Sequence, residues 1–430
     1  MPKPKILIFV ITDFSRLDGG VLWASNLLEC MARVPNMDFT IVTSGTEAVR
    51  RPNEEFTKAL GLRHSFVPFH QVVPPESGRG SEPHGMIGRA LDIMLDKYYF
   101  IFERDARRQR HVDFEVMDIV NRIKPDLIVV NGRNAALHVP SIFSLSVPRC
   151  FITLDNEIDF HRLYRAQAGP LGVTSKEALE RWMCRHGNWL ANWRFRRFIY
   201  SIYNRCDGII ALTRGDLPLQ LRNGTRRAVI PPILKRSDRR WSCGQERRLL
   251  FVGNVHVLKV MHVPNRLAIE WLCTRLSPEL LKRDSGSRID IIGATAEDVP
   301  VGWRHKNIDF LGRADKETVR HRMTTDSMFI APISNNHGAK LKLAECLSHG
   351  MPFLATDAAM SGLPFLSCIP IIDLKQPEAA AQLAVEYMNN ESKLTKLSES
   401  IHEQAEEARV AQDVTWRNFL MEATAGVGKL

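Results

Sequence analysis

The residues best suited to chemistry lie between His337 and Leu363, in the segment HGAKLKLAECLSHGMPFLATDAAMSGL. Lys340 and Lys342 put two positive charges near the start of a predicted helix, where positive side chains disfavour the helix itself. Together with the unpaired N–H groups of a helix start, they would bind an anion such as a phosphate. The alternative is a solvated helix face on which Lys342 and Glu345 form an i, i+3 ion pair.

The same segment also carries groups that recognise a sugar or a ribose. The spacing predicts a helix over Ala339–His349, opened by Gly338 and buried through an apolar stripe. That stripe consists of Leu343, Ala344 and Leu347. Glu345 lies about two turns into the helix, where its carboxylate can accept hydrogen bonds from hydroxyl groups. The segment therefore predicts a site for a phosphorylated sugar or nucleotide.

A second group of candidates follows the first predicted strand. Gly19 and Gly20 lie in a loop between that strand and a helix, and form either a phosphate-binding turn or an ordinary one. Asp13 precedes them and is expected either to cap a helix or to contact a second substrate.

Further polar residues follow a buried strand later in the first half. Asp155–Glu157 is either a helix cap or a polar cluster at the carboxyl end of that strand. His161 lies one helical turn beyond it. Glu157 or His161 is the candidate base if the reaction needs one to take a proton from an acceptor hydroxyl.

The elements that must position these residues alternate between strand and helix, which predicts a doubly wound α/β sheet. The first half begins with strand Lys5–Thr12, helix Val21–Ala32 and strand Asp38–Thr43. Three more buried strands are predicted at Asp126–Asn131, Arg149–Leu154 and Gly208–Leu212. Residues 66–88 are expected to form a long loop, and residues 175–205 to form helices rich in arginine and aromatic side chains.

The pattern starts again in the second half. Predicted strands cover Leu249–Val252, Ile289–Ile292, Ile308–Leu311, Ser327–Ala331 and Pro352–Thr356. Predicted helices separate them, at Asn265–Leu276, Lys316–Met323 and Ala339–His349. We therefore expect a Rossmann-like domain over residues 1–234, a linker at 235–247 and a second Rossmann-like domain at 248–410. A last helix at 411–430 is expected to return to the first domain.

The composition narrows the class of protein. The chain has 430 residues and a formal net charge of +10, which favours anionic ligands. Its eight cysteines form no Cys-x-x-Cys pair, which argues against structural zinc and favours a reducing compartment. The first residues do not resemble a secretory signal, and no apolar run is long enough to span a membrane.

These motifs resemble the C-terminal half of GT-B glycosyltransferases, particularly the retaining group called family 4. The matching positions are Gly338, Lys340, Lys342, Glu345, Gly350, Pro352, Thr356, Gly362 and Leu363. The resemblance implies two Rossmann-like parallel-sheet domains that face a central cleft. It also implies that Ser361–Leu363 donates backbone N–H groups to donor phosphate and that Glu345 binds the donor ribose.

Weaker matches extend the resemblance along the chain. Gly19 and Gly20 resemble the loop that closes on the donor diphosphate. Gly253 and Asn254 resemble the start of the donor domain. His337 stands where many members of the family have a glutamate that contacts the transferred sugar. This difference keeps two alternatives open: a nucleotide-sugar epimerase of GT-B fold, and a non-catalytic protein that binds sugar nucleotides.

Other enzyme classes lack their motifs in this sequence. There is no Asp-x-Asp metal motif, no P-loop and no Gly-x-Ser-x-Gly elbow. The expectation is a cytoplasmic glycosyltransferase that uses a nucleotide-diphosphate sugar and a glycan or lipid-linked acceptor, with Asp13, Glu157, His161 and Lys342 as catalytic candidates. We expect no cofactor, no metal and no nucleic acid partner. The arginine-rich helices suggest contact with an anionic membrane surface.

Overall fold

A computed structural model describes residues 2–14, 19–68, 106–154, 189–244, 246–254 and 263–425. The chain forms two compact units. The first comprises Met1–Ile230 together with Asp413–Leu430, and the second comprises Pro231–Gln412. Each unit is built on one parallel sheet, as the alternation of strands and helices predicts.

The sheet of the first unit contains seven described strands in the order β3-β2-β1-β4-β5-β6-β7. They are β1 (Lys5–Val10), β2 (Asp38–Gly45), β3 (Arg63–Pro68), β4 (Leu127–Asn131), β5 (Arg149–Thr153), β6 (Gly208–Ala211) and β7 (Arg226–Val229). The central strands are continuous apolar runs because helices cover both faces of a parallel sheet. Ile6 to Val10 of β1 are all fully buried.

The described helices of the first unit connect these strands. They are α1 (Gly19–Arg33), α2 (Glu47–Ala59), α3 (Ala106–Ile123), α4 (Gly132–His138) and α5 (Trp189–Tyr203). Short 3-10 turns lie at Pro140–Ser144 and Arg214–Asp216.

The sheet of the second unit has five described strands in the order β10-β9-β8-β11-β12. They are β8 (Arg248–Val252), β9 (Arg288–Ile292), β10 (Ile308–Gly312), β11 (Met328–Ala331) and β12 (Phe353–Ala355). Every pair of neighbouring strands is parallel. All the carboxyl ends of the strands therefore lie at one edge of the sheet.

Helices again follow the strands of the second sheet. They are α6 (Val263–Trp271), α7 (Ser277–Arg283), α8 (Lys316–Thr325), α9 (Leu341–His349), α10 (Asp357–Met360), α11 (Pro377–Met388) and α12 (Glu391–Ala425). A π-helical turn, Leu272–Leu276, joins α6 to α7, and 3-10 turns lie at Ala296–Asp298 and Val301–Trp303.

The first unit differs from the sequence predictions in several places. Residues 66–68 belong to β3 instead of the predicted loop, and neither α2 nor β3 was expected. Gly19 and Gly20 form the first turn of α1 instead of the loop before it, because a helix start tolerates glycine. The remainder of the predicted loop, residues 69–88, lies outside the described residues.

The predicted linker, residues 235–247, packs on the second unit. The N–H of Ser237 donates to Ser348 O over 2.8 Å, and the N–H of Trp241 donates to His349 O over 2.8 Å. The Trp241 ring is buried, and its Nε1 donates to Asp326 O over 2.8 Å. The polar composition of this segment gave no sign of these contacts, because they are made mostly by backbone groups.

The order of the strands reverses once in each sheet, at β1 in the first sheet and at β8 in the second. In the first sheet, β2 lies on one side of β1 and β4 on the other; in the second sheet, β9 and β11 flank β8 in the same way. Ligands of open parallel sheets bind outside the carboxyl ends of the strands at such a switch point. The fold therefore predicts ligand-binding residues after β1 and β4 in the first sheet, and after β8 and β11 in the second.

Candidate active site

The switch point of the second sheet brings together several of the predicted donor-binding residues. Gly253 and Asn254 directly follow β8, and the loop from Pro332 to Lys340 connects β11 to α9. Loops after neighbouring parallel strands share one edge of the sheet. The topology therefore places the predicted residues after β8 and those after β11 at the same edge of the sheet, where the strands have their carboxyl ends.

Glycines let the backbones at this edge approach one another closely. Gly293 follows β9 with φ of +106°, a conformation that L side chains rarely adopt. A Cβ at position 293 would also lie 2.4 Å from Gly253 O. Asn265 fixes the end of β8 from the other side, because its Nδ2 donates to Asn254 O over 3.0 Å.

Lys340, which is predicted to bind donor phosphate, makes hydrogen bonds to the loop after β11. Its ammonium donates to Asn335 Oδ1 at 2.8 Å, to Gly338 O at 3.1 Å and to His337 O at 2.5 Å. All three acceptors lie on the loop that precedes α9. Lys340 therefore holds the loop 335–338 in its folded form.

The helix α9 begins at Leu341, later than the predicted start at Ala339. Gly338 adopts φ of +68° and belongs to the loop, and Lys340 is the N-cap residue. Lys340 O accepts from the N–H of Leu343 at 2.8 Å and of Ala344 at 3.2 Å. The helix starts later than predicted because Lys340, with ψ of 83°, lies outside the helical region of the backbone map.

Lys342 is the second residue of α9 and pairs with Glu345. Lys342 Nζ lies 2.6 Å from Glu345 Oε2, and the two side chains are 36% and 18% exposed. This is the i, i+3 ion pair that the sequence left as an alternative. One hydrogen bond to Glu345 leaves Lys342 with donors that can reach a ligand oxygen, so the pair and anion binding are compatible.

The predicted apolar stripe of α9 is confirmed, because Leu343, Ala344 and Leu347 are buried. The helix ends at Gly350, which has φ of +71°. The N–H of Gly350 donates to Leu347 O at 3.1 Å and that of Met351 to Cys346 O at 2.9 Å, as in a Schellman cap. Both ends of the helix that presents Lys342 are therefore fixed.

The turn Ser361–Leu363 closes the site on the side of β12. Ser361 Oγ donates to Asn336 O at 3.0 Å, which ties this turn to the loop after β11. The N–H groups of Ser361 and Leu363 donate to Ala358 O at 3.4 Å and Met360 O at 2.8 Å. Two of the three N–H groups that the resemblance assigns to donor phosphate thus have partners on α10.

The first sheet positions Asp13 and the two early glycines at its own switch point. Asp13 lies three residues after the end of β1, and Gly19 opens α1. Trp23 of α1 is buried, and its Nε1 donates to Asn131 Oδ1 over 2.9 Å at the end of β4. The start of α1 is therefore anchored to the neighbouring strand.

Some predicted site residues cannot be placed and others were missed. Glu157 and His161 lie outside the described residues. Asn335 and Asn53 are buried polar residues that hold loops at the two switch points. A lone asparagine in a loop or helix carries no distinctive spacing, so sequence patterns gave no signal for either.

The described ranges contain neither a cluster of metal-ligating side chains nor a helix suited to span a membrane. Within them, no group of three or more His, Cys, Asp or Glu residues could hold a metal ion. Among the helices in the same ranges, none combines the length and apolar character needed to cross a bilayer.

Comparison with known proteins follows the same division of the chain. Residues 246–386 match the family model of glycosyl transferases group 1. TarM of S. aureus gives a TM-score of 0.62 at 10% sequence identity, covering 98% of both chains. Sucrose-phosphate synthase from Thermosynechococcus elongatus gives 0.61 at 11% identity, covering 98% of this chain and 100% of the other.

A third similar structure is Anabaena HepE in complex with UDP and glucose, with a TM-score of 0.56 at 10% identity. The match covers 98% of this chain and 100% of HepE. A search of curated proteins finds no significant match. The chain therefore has the GT-B fold, and its second unit contains a region that matches glycosyl transferases group 1.

Proposed function

We propose that this protein transfers a sugar from a nucleotide-diphosphate sugar to a hydroxyl group of a glycan or lipid-linked acceptor, with retention of the anomeric configuration. The observation that carries this proposal is the placement of Lys342 and Glu345 at the start of α9, beside the switch point of the second sheet. A cationic donor and a carboxylate at this place match the diphosphate and the ribose of such a donor.

Lys342 is the residue that we assign to the diphosphate. Its ammonium can keep its contact with Glu345 Oε2 and still donate to a phosphate oxygen. As the bond from the sugar to the diphosphate breaks, negative charge grows on the leaving group. Lys342 then contributes more to the transition state than to the bound donor, which is the condition for raising kcat.

Glu345 has two tasks in this proposal. One carboxylate oxygen holds Lys342, and the carboxylate also accepts hydrogen bonds from the donor ribose. Because Ser348 Oγ donates to Glu345 O over 2.8 Å, the backbone at this position is fixed as well. The same residue thus orients the charge on Lys342 and recognises the nucleoside.

The acceptor side is assigned to the first unit. Asp13, Glu157 and His161 remain our candidates for contacting the acceptor hydroxyl. In a retaining reaction, the leaving diphosphate takes the proton of that hydroxyl on the same face of the sugar. The protein then contributes mainly positioning and charge stabilisation.

The reaction is proposed to need no metal ion, because Lys342 and backbone N–H groups supply the positive charge for the diphosphate. Transfer should therefore continue in EDTA at the rate measured before chelation. Loss of activity in EDTA that Mn²⁺ restores would contradict this part of the proposal.

The donor itself is best found by thermal shift, because a bound ligand stabilises the folded protein by RT ln(1 + [L]/Kd). The probes are UDP, GDP, UDP-glucose, UDP-N-acetylglucosamine and GDP-mannose. We expect one nucleotide series to raise Tm in the wild type and to do so less in Lys342→Ala. Lys393→Ala is the matched control, since its ammonium pairs with Glu386 on an exposed surface.

Turnover assays separate this function from the alternatives. Transfer to an added hydroxyl acceptor, followed by NMR of the anomeric centre, should show a product with the configuration of the donor. Epimerised donor without transfer would favour the epimerase. Binding without any turnover would favour the non-catalytic protein.

We also propose that the acceptor is reached at an anionic membrane surface. On α5, Trp193 is 53% exposed and the guanidinium of Arg197 lies 5.5 Å from its ring centre. Arg196 is also exposed, and its guanidinium lies 5.5 Å from the ring centre of Tyr200, which is one turn further along α5. Binding to vesicles containing phosphatidylglycerol should decrease in high salt and in Arg196→Glu/Arg197→Glu; equal binding to neutral vesicles would contradict it.

A further inference from the structure

Helix α2 buries two side chains, and both are polar. Asn53 and Thr57 are the buried residues of Glu47–Ala59, and each is fully inaccessible to solvent. A buried amide is unfavourable unless its donor and acceptor are both paired. The helix therefore has a residue at position 53 whose polarity must be matched by something it contacts.

The partners of Asn53 lie on the segment that follows β1. Asn53 Oδ1 accepts from the N–H of Phe14 at 3.0 Å, and Asn53 Nδ2 donates to Thr12 O at 3.0 Å. These two backbone groups are on the residues immediately before and after Asp13. One amide side chain thus fixes the chain on both sides of the predicted catalytic aspartate.

A second contact from the same helix supports this arrangement. The rings of Phe56 and Phe14 stack with their centres 4.4 Å apart and an angle of 15° between the planes. Phe56 is three residues after Asn53, so both side chains act on the same face of α2. The segment at the end of the central strand is held by one polar and one aromatic contact.

We infer that Asn53 is a positioning residue, which holds the backbone at Asp13 in the conformation required for acceptor attack without contacting a substrate itself. This inference rests on the proposed function, in which Asp13 contacts the acceptor. A displacement of about 1 Å at a reacting group is enough to lower turnover about a hundredfold. Loss of the clamp should therefore lower kcat more than it changes KM.

Asn53→Leu and Thr57→Val form the matched pair of variants that tests the inference. Leucine has the same branching as asparagine, with a larger volume and no hydrogen-bonding groups, so the Thr12 and Phe14 groups lose their partner. Thr57 is equally buried on the same helix, but its hydroxyl donates to Asn53 O at 2.9 Å and Glu54 O at 3.1 Å. Thr57→Val therefore disturbs α2 while leaving the contacts to Thr12 and Phe14 in place.

The first measurement is hydrogen exchange of the peptide that contains Phe14, which requires no substrate. Asn53→Leu should speed exchange of the Phe14 amide, and Thr57→Val should leave it close to the wild-type rate. If Asn53→Leu is too unstable to purify, Asn53→Ala replaces it, because alanine also removes the acceptor for the Phe14 amide and adds no volume to the buried site. Unchanged exchange at Phe14 in Asn53→Leu would overturn the inference.

The second measurement is turnover of UDP-glucose, or of the donor identified by thermal shift, in a double-mutant cycle with Asp13→Asn. Asn53→Leu should lower kcat about ten- to hundredfold in the wild-type background and have little further effect beside Asp13→Asn. Equal kcat values for Asn53→Leu and Thr57→Val would overturn the positioning role. Full activity of Asp13→Asn would instead show that the assigned role of Asp13 is wrong, while the exchange result would still decide whether Asn53 holds the segment.

Discussion

The two edges of the five-stranded sheet use charge in different ways. At the amino edge, Arg248 Nη1 contacts Asp290 Oδ1 at 2.8 Å, Arg322 contacts the other oxygen of Asp290, and Asp290 is fully buried. At the carboxyl edge, Lys342 makes its ion pair with Glu345 while 36% exposed. Charges at the amino edge are neutralised by one another, whereas Lys342 keeps solvent-facing donors for a ligand.

A second pair completes the amino edge. Arg288 holds Asp309 with two parallel hydrogen bonds, at 2.8 Å from Nε and 2.6 Å from Nη2. This contact keeps the pKa of Asp309 below its usual value, since the guanidinium favours the charged carboxylate. The number of charges at an edge therefore does not locate a binding site. What matters is whether donors that remain after the internal pairs lie beside the carboxyl ends of the strands, where ligands of parallel sheets bind.

The largest effect should come from breaking the amino-edge network. Asp290→Ala removes the fully buried carboxylate that pairs with both Arg248 and Arg322. Because Arg248 keeps Asp309 and Arg322 keeps Asp326, the free energy of unfolding should fall by about 3 kcal/mol, the lower end of the range for breaking a buried pair. Chemical denaturation measures it, and affinity for the donor should stay unchanged in the folded protein. Glu386→Gln, which removes an exposed pair with Lys393, should cost about 0–1 kcal/mol. Equal stability of the two variants would remove the distinction between the edges.

Lys342→Ala should have the opposite signature. It removes a charge-assisted contact to the leaving diphosphate, which should raise the activation free energy by about 2–3 kcal/mol. This corresponds to a fall in kcat of roughly 30- to 150-fold. Because Lys342 is partly exposed and the apolar stripe of α9 is untouched, Tm should change little. Kinetics with varied donor and a melting curve test both parts. Normal turnover in a normally folded variant would mean that the diphosphate binds elsewhere.

Lys340→Ala tests whether a second lysine of the same site acts through the fold of its loop, in contrast to Lys342. This variant removes three hydrogen bonds that hold the loop 335–338 and leaves the buried amide oxygen of Asn335 without its ammonium partner. We expect a loss of about 1–3 kcal/mol in the free energy of unfolding together with weaker donor binding. A variant that melts like the wild type but fails only in turnover would show that Lys340 binds phosphate directly.

Glu345→Gln and Glu345→Ala separate the two tasks of Glu345. Glutamine can still accept from the ribose and from Lys342, but without the ionic attraction, so we expect donor affinity to fall by about 1 kcal/mol. Alanine removes both contacts, and the loss should reach about 1–3 kcal/mol. Isothermal titration with UDP or the identified nucleotide measures each value. Identical affinities for the two variants would show that the hydroxyl contact is not made.

The sequence predicted the elements that depend on local pattern and missed those that depend on distant partners. Short apolar runs such as Ile6–Val10, bounded by polar residues, are typical of buried strands, and the order of strands and helices then implies parallel sheets. The start of α9 was placed too early, because nothing in the local pattern shows that Lys340 has a non-helical backbone conformation. The contacts of Lys340 with the loop were not predicted for the same reason: its partner Asn335 is identified only by the folded loop.

The smallest expected effect is a loss of stability at low pH. It arises at the carboxyl-terminal end of α9, away from the proposed donor site. His402 packs against Gly350, where a Cβ would come within 2.2 Å of its Nε2. Burial, helped by the positive charges of Arg236 and Arg240 and by His349, lowers the pKa of His402 to about 4. The pKa of His349 is lowered too, mainly by burial.

The sign of the effect of His402 follows from proton binding. Between pH 6.5 and about 4 the unfolded chain binds more protons at this residue, so the folded state loses stability as the pH falls through that window. The loss should be on the order of 1 kcal/mol, because the half-buried ring is partly screened by solvent. Burial of Asp326 raises the pKa of its carboxyl to about 6, which acts in the opposite direction over part of this range.

The difference between wild type and His402→Gln isolates the histidine from Asp326, because both proteins keep the aspartate. Melting curves from pH 7.5 to pH 4.5 should show that the wild type loses about 2–4 °C more than the variant, as expected for about 1 kcal/mol in a domain of this size. Donor affinity per folded molecule should keep the same pH dependence in both proteins, since His402 contacts the carboxyl-terminal end of α9 and Lys342 lies at the other end. Parallel melting profiles would mean that His402 is as accessible to protons in the folded protein as in the unfolded chain. A change in the pH dependence of donor binding would show instead that the two ends of α9 are coupled, and that the division between the two edges of the sheet does not hold.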